Sequence, residues 1–221
     1  MALANAGVGL GVSRLRIFRR ESPVTVLGPG RRAVIWVQGC PFACKGCIVP
    51  ESWSSQGGEI VPIAELAEWA LAQEDIEGLT FSGGEPMEQA DALCALVDLV
   101  RARRDMGLVC YTGYRLETLE RQGSEGQRAL LARTDLLIDG VYVEREHTDV
   151  RWRGSANQRL LPVTDRYRAE VEAIAAGGDR SAGLEFFMDE RGAFGFAGVP
   201  AEPGFREQFE ARLAAMGVEQ S

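Results

Sequence analysis

The sequence predicts an α/β fold: an incomplete (β/α)6 TIM-like barrel with a C-terminal hairpin and helix. Three observations carry that prediction. Short apolar segments alternate with amphipathic helical ones between Pro62 and Ile138, the pattern of a parallel sheet with crossover helices. Chemically versatile residues stand directly after the strand-like segments, as in barrels whose loops gather on one face. The chain has 221 residues, fewer than the ~250 of a full eight-unit barrel, so one side is left open.

Arg14-Leu-Arg-Ile-Phe-Arg19 alternates polar and apolar residues, as a half-buried strand does. Leu27-Gly-Pro-Gly30 forms a turn before the apolar strand Ala33-Val-Ile-Trp-Val-Gln38. Pro62–Gln73 is an amphipathic helix with proline in its first turn. Leu79-Thr-Phe81 is a short strand running into Ser82-Gly-Gly-Glu-Pro86. Glu88–Arg104 is a helix whose Leu93, Leu96, Val97 and Val100 share a face. Leu108–Thr112 is a strand, helices follow near 115–120 and 126–133, and Leu136-Leu-Ile138 is a strand ending at Asp139-Gly140. Leu184–Met188 and Ala193–Phe196 flank Asp189-Glu-Arg-Gly192 as a hairpin, and a last helix covers about 205–216. The expected organisation is a disordered N-terminus (1–11), a core (12–163) and a C-terminal extension of helix, hairpin and helix (164–221) packed on it.

Composition narrows the function classes. With 46% hydrophobic and 25% charged residues the chain reads as a soluble globular protein. A formal net charge of −8 lacks the basic footprint of a nucleic-acid binder. No apolar run spans a bilayer, so no membrane partner is expected. The start of the chain lacks the basic and apolar regions of a signal peptide. Five cysteines, three of them clustered, suit a reducing compartment and a metal site, and the expected address is cytoplasmic. A single histidine, His147, rules out zinc sites built on several imidazoles within one subunit.

Cys40, Cys44 and Cys47 fall within eight residues, directly after a strand. Three thiolates leave a structural zinc shell one ligand short. They suit a cubane iron–sulfur cluster, holding three irons and leaving the fourth open to a substrate. Gly83 and Gly84 lack a Cβ and let the backbone approach a ligand closely. Glu85 adds a carboxylate, and Pro86 marks where the next helix begins. A plain strand-to-helix turn accounts for Ser82–Pro86 equally well. Cys94 and Cys110 sit on an apolar helix face and within a strand, as small core residues do. Two spare thiols cannot build a second, four-ligand cluster.

Together these residues resemble the radical S-adenosylmethionine enzymes. The resemblance extends to the anaerobic ribonucleotide reductase activases through Trp36-Val-Gln-Gly-Cys40-Pro41, Lys45-Gly46-Cys47, Phe81–Pro86, Tyr111-Thr-Gly-Tyr114, Leu137-Ile-Asp-Gly140 and Trp152–Arg159, collinear over roughly 24–160. It implies that Cys40, Cys44 and Cys47 hold a [4Fe-4S] cluster. It implies further that Gly46 and Ile48 line the adenine side of S-adenosylmethionine, and that Gly83, Gly84 and Glu85 grip its methionine amine. Thr112 and Asp139 become candidate cofactor contacts, and Arg153, Ser155 and Asn157 binders of the carboxylate or ribose. No side chain is assigned as a catalytic group.

The implied reaction is reductive cleavage to methionine and a 5′-deoxyadenosyl radical, which abstracts hydrogen from a partner. That partner is expected to be a glycyl-radical enzyme, with an external electron donor such as flavodoxin or ferredoxin. Alternatives are a radical enzyme acting on a small molecule or peptide, and a non-catalytic metal-binding module using His147 as fourth ligand. Phe42 stands where activases often show histidine, and the region after Val163 resembles them less. If Gly84 lines the cofactor site, Gly84→Val is expected to weaken cofactor binding and leave iron content near normal.

Overall fold

The computed structural model describes residues 13–188 and 194–216. The expected disordered N-terminus (1–11) and the hairpin turn expected at 189–192 lie outside the described residues. In chain order the first elements are β1 (Arg14–Val24), β2 (Arg32–Val37), β3 (Glu59–Pro62), α1 (Ile63–Leu71), β4 (Gly78–Gly83) and α2 (Ala90–Arg101). β5 (Gly107–Thr112), α3 (Leu116–Gln122), α4 (Glu125–Arg133) and β6 (Leu136–Asp139) follow. The remainder is β7 (His147–Val150), β8 (Arg153–Ser155), β9 (Arg159–Pro162), α5 (Arg168–Ala173), β10 (Leu184–Met188), β11 (Phe194–Gly198) and α6 (Phe205–Ala215).

Seven of the described strands form one open sheet in the order β3-β1-β2-β4-β5-β6-β9. Its centre, β2-β4-β5-β6, is parallel. Both flanks are antiparallel, with β1 pairing to β2 and β3, and β9 to β6. The parallel run thus stops at four strands among the described residues, short of the six repeating units expected. Connection length explains this. Residues 25–31 between β1 and β2 are too few for a parallel crossover, which needs a dozen or more residues. Between β6 and β9 the chain makes the β7–β8 hairpin in place of a crossover helix, and β9 returns antiparallel.

Alternation along the strands gives the sheet two different faces. Ala33, Ile35, Val37, Leu79, Phe81, Leu108, Cys110 and Leu137 pack in one core with Leu66 of α1, Leu93, Leu96 and Val97 of α2 and Leu130 of α4. Each such fully buried aliphatic side chain stabilises the fold by about 1.5–3 kcal/mol. The interleaved residues face the other way: Val34 and Trp36 in one cluster, Val109, Leu136 and Ile138 with Trp152, Tyr167 and Ile174 in another. Arg32 closes this second face at the N-terminal end of the parallel strands. Its buried guanidinium donates to Thr80 Oγ1 at 3.1 Å, Tyr167 OH at 2.7 Å and the Gly107 carbonyl at 2.9 Å. Cross-braced there, the sheet leaves its other end free for long loops.

Candidate functional site

The parallel strands end in a row. Val37 pairs with Gly83, and Thr112 with Asp139. The cysteine loop leaves the end of β2 and is pinned at its neck. Gly39 N–H donates to the Ser52 carbonyl at 2.7 Å, and Cys40 N–H to the Trp53 carbonyl at 3.0 Å. The Gln38 carboxamide donates to the Glu51 and Ser54 carbonyls at 2.8 and 2.7 Å. Beyond the neck the loop is tight: Cys47 N–H reaches the Cys44 carbonyl at 3.1 Å. Gly46 adopts a φ of +74°, and a Cβ there would meet Glu144 at 3.0 Å and Tyr142 at 3.2 Å. Lys45 pairs with Glu144 at 2.8 Å, and Phe42 packs edge-on to Tyr114 at 4.9 Å. The loop tip is thereby held between the turns that follow β5 and β6.

All five cysteines are free thiols. Cys94 and Cys110 are buried, as expected of core residues, while Cys40, Cys44 and Cys47 are half-buried. Burial pushes the Cys40 and Cys44 thiols up. Backbone N–H groups of Phe42 and Ala43 partly offset this for Cys40, and that of Tyr142 for Cys44. Cys47 Sγ lies 3.5 Å from Val49 N–H, a donor suited to a thiolate. Among the described residues no three His, Cys, Asp or Glu side chains converge as ligands of one ion. Thiols that each bind a different iron of a cubane have no need to converge. The single-ion reading also lacks its fourth ligand. His147 Nε2 lies 3.2 Å from the Ala201 carbonyl, which can only accept, so Nδ1 accepts from Tyr142 OH at 3.0 Å and both ring nitrogens are engaged. The donor set fits a cluster held at three corners.

The Gly83-Gly84-Glu85 turn is welded to the neck of this loop. Gly84 N–H donates to the Val37 carbonyl and Glu85 N–H to the Gly39 carbonyl, each at 2.8 Å. Gly83 has a φ of +95°, with Trp36 backbone 2.7 Å from where a Cβ would stand. The Glu85 side chain is 1% exposed. It accepts from Gly113 N–H at 2.7 Å, Met87 N–H at 2.9 Å and Thr112 Oγ1 at 2.8 Å. Desolvation pushes this carboxyl up to about 7, against the pull of those donors.

The folded chain therefore binds more protons at Glu85 than the unfolded chain does. The stability this contributes is complete below about pH 4.5 and is lost as pH rises through about 7. Glu85→Gln places an amide N–H₂ against one of three donors, a loss of about 1–3 kcal/mol. The parent's stability advantage over that variant should shrink from pH 5 to pH 8 by something on the order of 3 kcal/mol. Urea unfolding at the two pH values measures it, and a pH-independent difference would contradict the buried, protonated carboxyl.

Thr112 and Asp139 have side chains on the helix-facing side of the sheet. Thr112 bridges Glu85 and Tyr114 N–H. The Asp139 carboxylate is fully buried, accepting from Leu116 N–H at 2.9 Å, Arg159 Nε at 2.9 Å and Arg115 at 3.3 Å. Arg153 pairs with Asp179, at 2.5 Å. Ser155 Oγ accepts from Val143 N–H at 3.2 Å. Asn157 donates to the Val141 carbonyl at 2.9 Å, while its Oδ1 is buried with no partner.

A cavity of about 320 Å³ opens beside Gly46, Cys47 and Ile48. Its floor is Trp36, Ser82 and Tyr111, and its walls include Trp152, Gln158 and residues 194–213. Tyr111 OH and Trp152 Nε1 are buried without a hydrogen-bond partner. Of the residues singled out in the sequence, Gly46, Cys47, Ile48 and His147 line this space, and the assigned residues at the strand ends and at 153–157 are not part of its lining. Trp36, Ser82 and Tyr111 stand in the quoted motifs but were given no role. Ser82 and Tyr111 directly precede Gly83 and Thr112, Trp36 pairs with Ser82 across the sheet, and strand alternation was the signal that distinguishes the two sets.

A sequence profile of the 4Fe-4S single cluster domain matches residues 26–161. The anaerobic ribonucleoside-triphosphate reductase-activating protein of Enterobacteria phage T4 is 36% identical over 147 residues, 63% of this chain and 89% of that protein. The protein of the same description from Vibrio cholerae is 36% identical over 160 residues, 66% of this chain and 98% of its own. The solved structure of QueE from Escherichia coli aligns with a TM-score of 0.43 at 17% identity, covering 76% of this chain and 92% of that one.

Proposed function

The chain belongs to the 4Fe-4S single cluster domain family, among the radical S-adenosylmethionine activating enzymes, and we propose that it generates a radical on a partner protein of the glycyl-radical class. One observation supports this above the rest: three free thiols on one pinned loop stand at the C-terminal end of the parallel strands, beside a cavity whose lining includes three buried polar atoms without a hydrogen-bond partner, on Arg19, Tyr111 and Trp152. The family's groups are a [4Fe-4S] cluster and S-adenosylmethionine. In this reading Cys40, Cys44 and Cys47 hold the cluster. Bound there, these groups would supply one-electron reductive cleavage of the sulfonium and, through it, abstraction of a hydrogen atom from the partner.

The protein's own contribution is positioning and exclusion of water. We assign the backbone of Gly46–Ile48 to the adenine side, with Trp36 and Tyr111 beneath. The N–H groups of Gly84 and Glu85 are spent on the Val37 and Gly39 carbonyls, so what this turn has left to offer an ammonium is carbonyl oxygen. Arg153, Ser155 and Asn157 are assigned to the carboxylate and ribose, with the free Oδ1 of Asn157 as acceptor. Thr112, Asp139 and the Glu85 carboxylate hold the three strand ends in place behind them. The open sheet serves as an incomplete barrel, with residues up to about 163 as core and the rest as an extension over its mouth. Flavodoxin or ferredoxin is the electron donor in this reading, and the address is cytoplasmic. No helix among the described residues is long and apolar enough to cross a membrane.

Anaerobic reconstitution with iron and sulfide tests the reading. The expected product is a brown protein with about four irons per chain that cleaves S-adenosylmethionine once reduced. Colourless protein holding one zinc per chain would overturn it. A second reading, a small molecule or short peptide as hydrogen donor, draws support from the covering of the cavity by residues 194–213. A glycyl-radical signal in a co-incubated reductase, followed by electron paramagnetic resonance, separates the two.

A further inference from the structure

The family profile ends at residue 161, yet much of the cavity wall comes from beyond it. β11, the segment after it and α6 roof the space beside Cys47 and Ile48. This roof is internally cohesive. Phe186, Phe194, Phe196, Phe205 and Phe209 form a continuous set of ring contacts, with centroids 5.5–6.3 Å apart.

Its two parts are attached to the rest of the molecule differently. The hairpin rests on the sheet through Ala197, buried in one apolar cluster with Val24, Val34 and Trp36, with Phe187 and Val199 packed against it, whereas α6 buries Leu213 alone. The remaining ties are polar. Arg19 donates to the Phe196 carbonyl at 2.9 Å, and the Ala201 carbonyl accepts from His147 at 3.2 Å. The densest tie is Arg206. Its guanidinium donates to the Ile48 carbonyl at 2.9 Å and to both carboxylate oxygens of Glu51, one at 2.8 Å, while its Nε pairs with Glu210 at 2.6 Å. Burial alone would push the Glu51 carboxyl up, but Arg206 and Arg19 bring it below its ordinary value. Ile48 follows the third cysteine directly, and the Glu51 carbonyl is one of the two that anchor Gln38 in the loop neck. Gly204, at a φ of +68°, begins α6 with a left-handed residue at which the helix can swing.

We propose that Arg206 is a positioning residue that latches the C-terminal roof to the cysteine loop, and that the hydrogen donor is admitted on the roof side when this latch releases. A helix such as α6, which buries one side chain and is tied to the cysteine loop by Arg206, belongs to the low-stability end of the fold, where local opening is cheap. A cavity of about 320 Å³ is near the lower limit for one bound small molecule. A second reactant therefore needs the roof to move. The latch also makes opening felt at Cys47, so the geometry of the third thiol depends on closure. Only the identification of the entering group as a hydrogen donor rests on the function proposed above.

Hydrogen–deuterium exchange on the full-length chain, with and without reconstituted iron, tests the coupling. Arg206→Ala should speed amide exchange about tenfold or more in both 205–215 and 44–52. Glu51→Ala should give the same pattern, the double variant should be no faster than the worse single one, and Arg206→Lys should fall between, since it keeps the charge and loses the fork. Acceleration confined to 205–215, or additive effects of the two substitutions, would reduce Arg206 to a helix anchor and overturn the proposal. In reconstituted protein Arg206→Ala should raise cofactor cleavage without partner turnover. Because the exchange pattern is read without iron as well, failure of the latch and failure of the enzymatic reading give different results.

Discussion

Replacing Cys44 by alanine should remove iron retention and cofactor cleavage together, both falling to background after anaerobic reconstitution. The thiol is half-buried and contributes nothing to the helix-side core. The iron-free variant should therefore unfold within about 1 kcal/mol of the parent. That contrast separates loss of a ligand from loss of the fold. Two remaining thiolates on one short loop cannot hold a cubane against solvent, so partial retention is not expected. A Cys44→Ala protein that kept a full cluster would show the ligand set to be wrong, and the assignment of Cys40 and Cys47 would fall with it.

Gly84→Val should destroy both iron retention and cofactor affinity. A Cβ on Gly84 would stand 2.2 Å from the Gly39 carbonyl oxygen and 3.0 Å from Gly39 N. Those are backbone atoms in the neck of the cysteine loop, and they cannot swing aside as a side chain does. Relief of the clash costs the hydrogen bond from Glu85 N–H to that carbonyl and displaces Cys40 next to it. A loss of about 3 kcal/mol is expected from overpacking of this kind, read from a denaturant midpoint, with iron content falling in parallel. Sequence alone led to the opposite split, weakened cofactor binding with iron near normal, because it placed the new side chain in ligand space. The structure corrects the reason: Gly84 is small to let two turns touch. Near-normal iron in this variant would restore the sequence-based view.

Contiguous information was legible and long-range information was not. The cysteine loop, the glycine turn and the strand ends at Thr112 and Asp139 are local patterns, and the parallel pairing of β2, β4, β5 and β6 aligns them as expected. The antiparallel flanks escaped because strand direction is set by what a connection can span, and Glu59–Pro62 and Arg159–Pro162 are too short to announce themselves as strands. Side-chain roles blurred for a related reason. Asp139 looked like a cofactor contact because it ends a strand, whereas its carboxylate is enclosed by Arg115, Arg159 and Leu116 N–H. The residues one step before Thr112 and Gly83, Tyr111 and Ser82, reach the cavity instead. The tie between Arg206 and Glu51 joins positions 155 apart, beyond any local pattern.

The two-faced sheet has an evolutionary consequence. One strand layer separates the helix-packed interior from the chamber floored by Trp36, Ser82 and Tyr111. Selection can rework that floor, and the appended roof above it, without disturbing the packing of α1, α2 and α4. If the function proposed above holds, a chain that keeps Cys40, Cys44 and Cys47 can thus trade one hydrogen donor for another by altering a handful of inward-facing positions.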